Sequence, residues 1–123
     1  MKIKAIIEED FINYKKTSML LGTCFCNWKC LKEKNLDISI CQNIELARTN
    51  IIDIPNDKII KRYIENSITH AIVIAGLEPF LQFQEVYDFI RDFREQSQDD
   101  VVIYTGYYPD FPWYFRKRRR RIL

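Results

Sequence analysis

Two continuous apolar segments on either side of an amphipathic helix most restrict the fold of this chain. Residues 71–75 and 101–104 are uninterrupted apolar runs, which are typical of strands buried on both faces of a parallel sheet. Between them, residues 81–96 carry apolar side chains at helical spacing, with charged side chains on the opposite side. The order strand, helix, strand predicts a βαβ unit with a right-handed crossover. The apolar positions of the predicted helix are Phe83, Val86, Tyr87, Ile90 and Phe93.

The first half of the chain adds further elements to the predicted sheet. Residues 2–8 and 18–22 read as strands, and residues 57–66 read as a helix that follows Pro55 and Asn56. In parallel sheets, ligands bind beyond the carboxyl ends of the strands. Three segments follow predicted strands in this way: the cysteine-containing loop 23–43, the segment 76–79 and the segment 105–107.

The charge distribution argues against a nucleic-acid-binding surface. The net charge is +2, but residues 116–121 are all basic, so the rest of the chain carries −4. A mildly acidic body with one basic end differs from the distributed basic face of a nucleic-acid-binding domain. No segment approaches the ~20 apolar residues that span a bilayer, so we expect no membrane association. A cytoplasmic location with reduced thiols is the expectation.

The four cysteines all lie in loop 23–43, and three of them have the spacing C-x3-C-x10-C. Thiolates are soft ligands that suit iron–sulfur clusters or zinc. A zinc site normally takes four ligands with at least one C-x2-C pair, which is absent here. Cys26, Cys30 and Cys41 are therefore the predicted ligands of a [4Fe–4S] cluster. Cys24 is either a fourth ligand or a buried apolar residue.

Three segments of the chain resemble one known family. The run GTCFCNWKC at residues 22–30, with Cys41-Gln42-Asn43, resembles the cluster loop of radical S-adenosylmethionine (SAM) activating enzymes. The similarity is to the activase of anaerobic ribonucleotide reductase and its compact bacterial and phage relatives. Residues 75–80 (AGLEPF) resemble the SAM-binding motif of that family. Residues 104–107 (YTGY) resemble the YTGY sequence at the end of a strand in the same family. The resemblance extends over residues 2–108.

The resemblance implies a cofactor pair and a role for each matching residue. Cys26, Cys30 and Cys41 would hold the cluster, and the iron without a protein ligand would be chelated by SAM. Gly76 and Glu78 would contact the methionyl amino group, and Ile40, which precedes the third cysteine, would lie near adenine. An electron from flavodoxin or ferredoxin would cleave SAM, and the resulting radical would abstract hydrogen from a glycyl radical enzyme. Anaerobic ribonucleotide reductase is the implied partner.

The same resemblance implies the fold and the domain organisation. The expected fold is α/β, a partial barrel of parallel strands with helices outside. Residues 1–108 would form the radical SAM-like domain, and residues 109–123 an aromatic and basic tail. Family members usually space their last two cysteines as C-x2-C, and close relatives tolerate the longer gap found here. Family members also continue beyond YTGY with at least one further βα unit, so this chain is expected to be shortened at its C-terminus. The alternative is a truncated, non-catalytic Fe–S or zinc-binding interaction module.

Overall fold

The computed structural model describes residues 1–106, except for the side chains of Lys29 and Cys30. The predicted tail, residues 109–123, and Tyr107 lie outside the described residues. Strands form two sheets, a pair β1–β4 and a four-stranded sheet in the order β2-β3-β5-β6. The strands are β1 (Lys2–Ile3), β2 (Ala5–Asp10), β3 (Ser18–Thr23), β4 (Ile52–Asp53), β5 (Ala71–Gly76) and β6 (Asp100–Ile103).

Two regular helices and several short turns connect these strands. The longer helices are α3 (Asn56–Glu65) and α4 (Phe83–Arg94), close to the predicted ranges. The cysteine loop, predicted to be without regular structure, contains one short turn of helix and a 3-10 turn. The short elements are α1 (Lys29–Lys32), α2 (Ile44–Ala47) and 3-10 turns at Ile38–Ile40 and Pro79–Gln82. No helix in the described part of the chain has the length and apolarity to cross a membrane.

Strands β3, β5 and β6 are parallel neighbours, so their carboxyl ends share one edge of the sheet. The register pairs Thr23 with Gly76 and Ile74 with Ile103. The single first strand predicted over residues 2–8 is wrong: β1 and β2 are separate, and β2 pairs antiparallel with β3. The short connection through residues 11–17 allows only this antiparallel return, because a parallel pair needs a longer crossover. The barrel stays a prediction.

The core lies between the four-stranded sheet and the two longer helices. Ile72 and Ile74 of β5 are fully buried in the same apolar cluster as Phe89 and Phe93 of α4. The predicted apolar face of this helix is therefore partly wrong, since Tyr87 is 52% exposed and Phe89 takes the buried position. The helix begins only at Phe83, after the 3-10 turn, and its buried residues are Val86, Phe89 and Phe93. This packing of the helices against the sheet stabilises the parallel strands whose carboxyl ends form the shared edge.

Candidate metal centre

Cys26 and Cys41 have the environment expected of thiolate ligands. Both residues are half-buried. The sulfur of each accepts a hydrogen bond from the backbone amide two residues further along the chain. Trp28 N donates to Cys26 Sγ at 3.2 Å, and Asn43 N donates to Cys41 Sγ at 3.4 Å. Each amide thus donates to the atom that would ligate a cluster. Such bonds also tune the reduction potential of a cluster.

Cys24 differs from these two cysteines although it is only two residues from Cys26. Its side chain lies in the core and is 3% exposed, and its amide donates to Gln82 Oε1 at 2.7 Å. Burial raises the pKa of the Cys24 thiol, and the nearby Glu85 carboxylate raises it further. A buried thiol of raised pKa is a poor metal ligand. Of the two roles left open by the sequence, the structure favours the buried apolar one.

Cys30 lies in the four-residue helix α1, where Leu31 and Lys32 donate their amides to Trp28 O. Because its side chain is not described, the distances from its sulfur to Cys26 and Cys41 are not fixed. Among the described side chains, which exclude Cys30, no three Cys, His, Asp or Glu residues are grouped so as to hold a metal ion. The three-cysteine ligand set therefore stays a prediction.

Gly76 ends β5 in a conformation that needs glycine. Its φ is +92°, and an added Cβ would lie 2.9 Å from Leu46 Cδ2 and 3.0 Å from both Gly22 Cα and Thr23 N. A side chain here would be strained and would displace the neighbouring strand. Asn43 Nδ2 donates to Gly76 O at 2.7 Å, so the segment after Cys41 is fastened to the end of β5.

Glu78 joins the end of β5 to the end of β6. Its carboxylate is 6% exposed and accepts hydrogen bonds from Phe80 N at 2.7 Å and Gly106 N at 2.8 Å. The Thr105 hydroxyl lies 2.9 and 2.8 Å from the two carboxylate oxygens. An ionised carboxylate offers about four acceptor positions. Three of these positions are taken by donors of the chain itself.

The cysteine loop also contacts the Glu78 segment directly. Glu78 N donates to Phe25 O at 2.7 Å, so the residue between Cys24 and Cys26 is fixed beside the Glu78 turn. Ile40 ends the 3-10 turn before Cys41 and is 57% exposed, as a residue that contacts a ligand would be. Its predicted contact with adenine stays a prediction. The roles of Asn43 and Thr105 were missed from the sequence, where their only signal was membership of the CQN and YTGY segments.

The amino-acid sequence matches the family model of a known class of iron–sulfur domain. Residues 17–111, more than three quarters of the chain, match the family described as "4Fe-4S single cluster domain". The chain belongs to this 4Fe–4S single cluster domain family. Comparisons with curated proteins and with solved structures give no significant match. The matched range contains all four cysteines, the Glu78 turn and the end of β6.

Family membership confirms the 4Fe–4S cluster predicted for the cysteine loop. It does not extend to SAM binding or to the activase type, which stay predictions. The side chains fit this cofactor. Two accessible thiols carry amide donors, and Trp28 Nε1 is a buried donor without a partner in the described structure. These features are what the sulfurs of a cluster would engage. The position of the cluster on the cysteine loop, at the carboxyl edge of this sheet, stays a prediction.

Proposed function

We propose that the chain is a radical SAM enzyme that activates a glycyl radical enzyme, with anaerobic ribonucleotide reductase as its substrate protein. The observation that carries this proposal is the connection of the cysteine loop to the Gly76–Glu78 turn at one sheet edge. Asn43 bonds to Gly76, and Phe25 bonds to Glu78. The predicted cluster and the predicted amino-group site are thereby fixed relative to each other.

Each residue of the proposed site has a defined task. Cys26, Cys30 and Cys41 hold the cluster and leave one iron for the amino and carboxylate groups of SAM. Gly76 and Glu78 bind the methionyl ammonium, and Ile40 covers the adenine. When bound, the cluster supplies the electron that cleaves the C–S bond of SAM and gives the 5′-deoxyadenosyl radical. Flavodoxin or ferredoxin supplies that electron, and a partial barrel formed by the parallel strands encloses the reaction.

SAM cleavage tests the proposed function directly. The protein is reconstituted anaerobically with iron and sulfide, reduced with dithionite and mixed with SAM. We expect 5′-deoxyadenosine to form, and we expect a Cys41→Ala variant to form none. Absence of 5′-deoxyadenosine from protein that holds a complete, reducible cluster would refute the radical SAM proposal while leaving the 4Fe–4S assignment intact.

A second candidate is a non-catalytic Fe–S or zinc-binding interaction module. The observation in its favour is that Glu78 already has three internal donors and caps the turn at Pro79–Gln82. In this interpretation Glu78 has only a structural role. If Glu78 instead binds the ammonium of SAM, its replacement removes a charge-assisted hydrogen bond worth about 1.5–3 kcal/mol. SAM binding would then weaken by about one to two decades.

The variant Glu78→Gln keeps the size of the side chain and removes its charge. Thr105→Val is the matched control, since it removes one internal bond and keeps the carboxylate. Weakened SAM binding by calorimetry in Glu78→Gln alone would support the ammonium contact. An equal change in both variants, or none in either, would favour the structural role.

A further inference from the structure

Trp28 combines two unfavourable features in the described structure. Its φ is +52°, a left-handed conformation that is uncommon for a residue with a bulky side chain. Its indole Nε1 is buried and has no hydrogen-bond partner within the described structure. Native proteins satisfy the large majority of buried polar groups, so this exception calls for a partner outside the described residues.

The backbone of Trp28 is held beside a predicted ligand. Its amide donates to Cys26 Sγ, and its carbonyl accepts the amides of Leu31 and Lys32 at 3.1 and 2.9 Å. The residue lies within the C-x3-C segment, two positions from Cys26 and two from Cys30. Backbone hydrogen bonds at the start of α1 thus hold Trp28 in the left-handed conformation. They also fix the position of its Cα, from which the indole side chain extends.

The chemistry of the missing partner follows from the chemistry of the indole. Indole Nε1–H is a donor only, so its partner must be an acceptor. The acceptors that a 4Fe–4S cluster adds to this loop are sulfurs, and hydrogen bonds to them help to set the reduction potential. A donor stabilises the reduced cluster more than the oxidised one, because the reduced cluster carries more negative charge.

We propose that Trp28 Nε1 donates a hydrogen bond to a sulfur of the bound cluster and thereby raises its reduction potential. This donor acts in addition to the two backbone amides at Cys26 and Cys41. The proposal rests on the cluster of the family and not on SAM cleavage. It therefore applies equally to a catalytic protein and to a non-catalytic cluster module.

The test replaces each of the two tryptophans in the full chain. Trp28→Phe keeps an aromatic ring and removes the N–H, and Trp113→Phe is the control. The reconstituted proteins, without SAM, are analysed for iron content and titrated for midpoint potential. We expect Trp28→Phe to keep about four irons and to show a more negative potential than wild type, and Trp113→Phe to match wild type. An unchanged potential in Trp28→Phe, or an equal shift in both variants, would overturn the proposal.

A second measurement covers the case in which Trp28→Phe fails to assemble a cluster. In Trp113→Phe, Trp28 is the sole tryptophan, and ultraviolet resonance Raman spectroscopy reports whether its indole N–H is hydrogen-bonded. We expect the band to change from the non-bonded to the bonded position when the cluster is inserted. An identical band before and after reconstitution would overturn the proposal.

Discussion

The two regions at the carboxyl edge of the sheet differ in how completely their polar groups are paired. At the ends of β5 and β6, the buried Glu78 carboxylate accepts bonds from three donors of the chain itself. In the cysteine loop, Trp28 is left-handed and its indole N–H has no partner among the side chains and backbone groups that the structure describes. The buried acceptor at the strand ends thus has donors from the chain itself, whereas the buried donor in the loop calls for a partner outside the described residues. We expect a bound cluster to stabilise the loop, as ligands do at other metal sites.

The largest effect should follow from placing a side chain at Gly76. Gly76→Ala introduces a Cβ at positive φ within 3.0 Å of three atoms, and we expect it to lower the free energy of unfolding by about 2 kcal/mol or more. Gly106→Ala is the control, because its Cβ would meet only Glu78 Oε1 at 3.6 Å. Urea denaturation of both variants measures the difference. Equal stability would mean that the strand ends are less rigid than described.

The three cysteines whose side chains the structure describes should differ in their rates of alkylation. In the apoprotein, iodoacetamide should modify Cys24 at least about tenfold more slowly than Cys26 or Cys41, since burial raises the pKa of the Cys24 thiol and leaves less thiolate at neutral pH. Tandem mass spectrometry of timed samples gives the three rates. In urea the rates should converge. Equal rates in the folded protein would remove the distinction between Cys24 and the predicted ligands.

A smaller effect on stability is expected from loss of the Thr105–Glu78 hydrogen bond, which joins the segments after β5 and β6. Thr105→Val removes the hydroxyl that donates to Glu78, and should lower stability by about 1 kcal/mol. Cluster content should not change, because Thr105 belongs to the strand ends and not to the cysteine loop. Thermal unfolding and iron analysis of the same sample test both parts. A loss of iron would show that the two regions depend on each other.

The sequence was sufficient where local patterns determine structure. The buried strands β3, β5 and β6 and the helices α3 and α4 were predicted within a few residues, because apolar runs and helical periodicity are local signals. The 4Fe–4S cluster predicted for the cysteine loop agrees with the family to which the chain belongs. The candidate residues Gly76 and Glu78 were placed correctly at the carboxyl edge, although their ligand contacts stay predictions.

The features that were missed depend on contacts between distant residues. The antiparallel pairing of β2 follows from the short connection through residues 11–17, and the buried side of α4 depends on its packing against the sheet. The bonds Asn43–Gly76 and Thr105–Glu78 join residues 33 and 27 positions apart. No local pattern encodes such pairs. The left-handed Trp28 also had no signal, since glycine is the usual residue for that conformation.

The central claim is that Cys26, Cys30 and Cys41, but not Cys24, hold a single 4Fe–4S cluster. Iron and sulfide per chain after anaerobic reconstitution test it most directly, in wild type and in the four single Cys→Ala variants. We predict about four irons and four sulfides in wild type and in Cys24→Ala, and loss of the cluster in the other three variants. Stoichiometric zinc without iron, or an equal requirement for Cys24, would contradict the account.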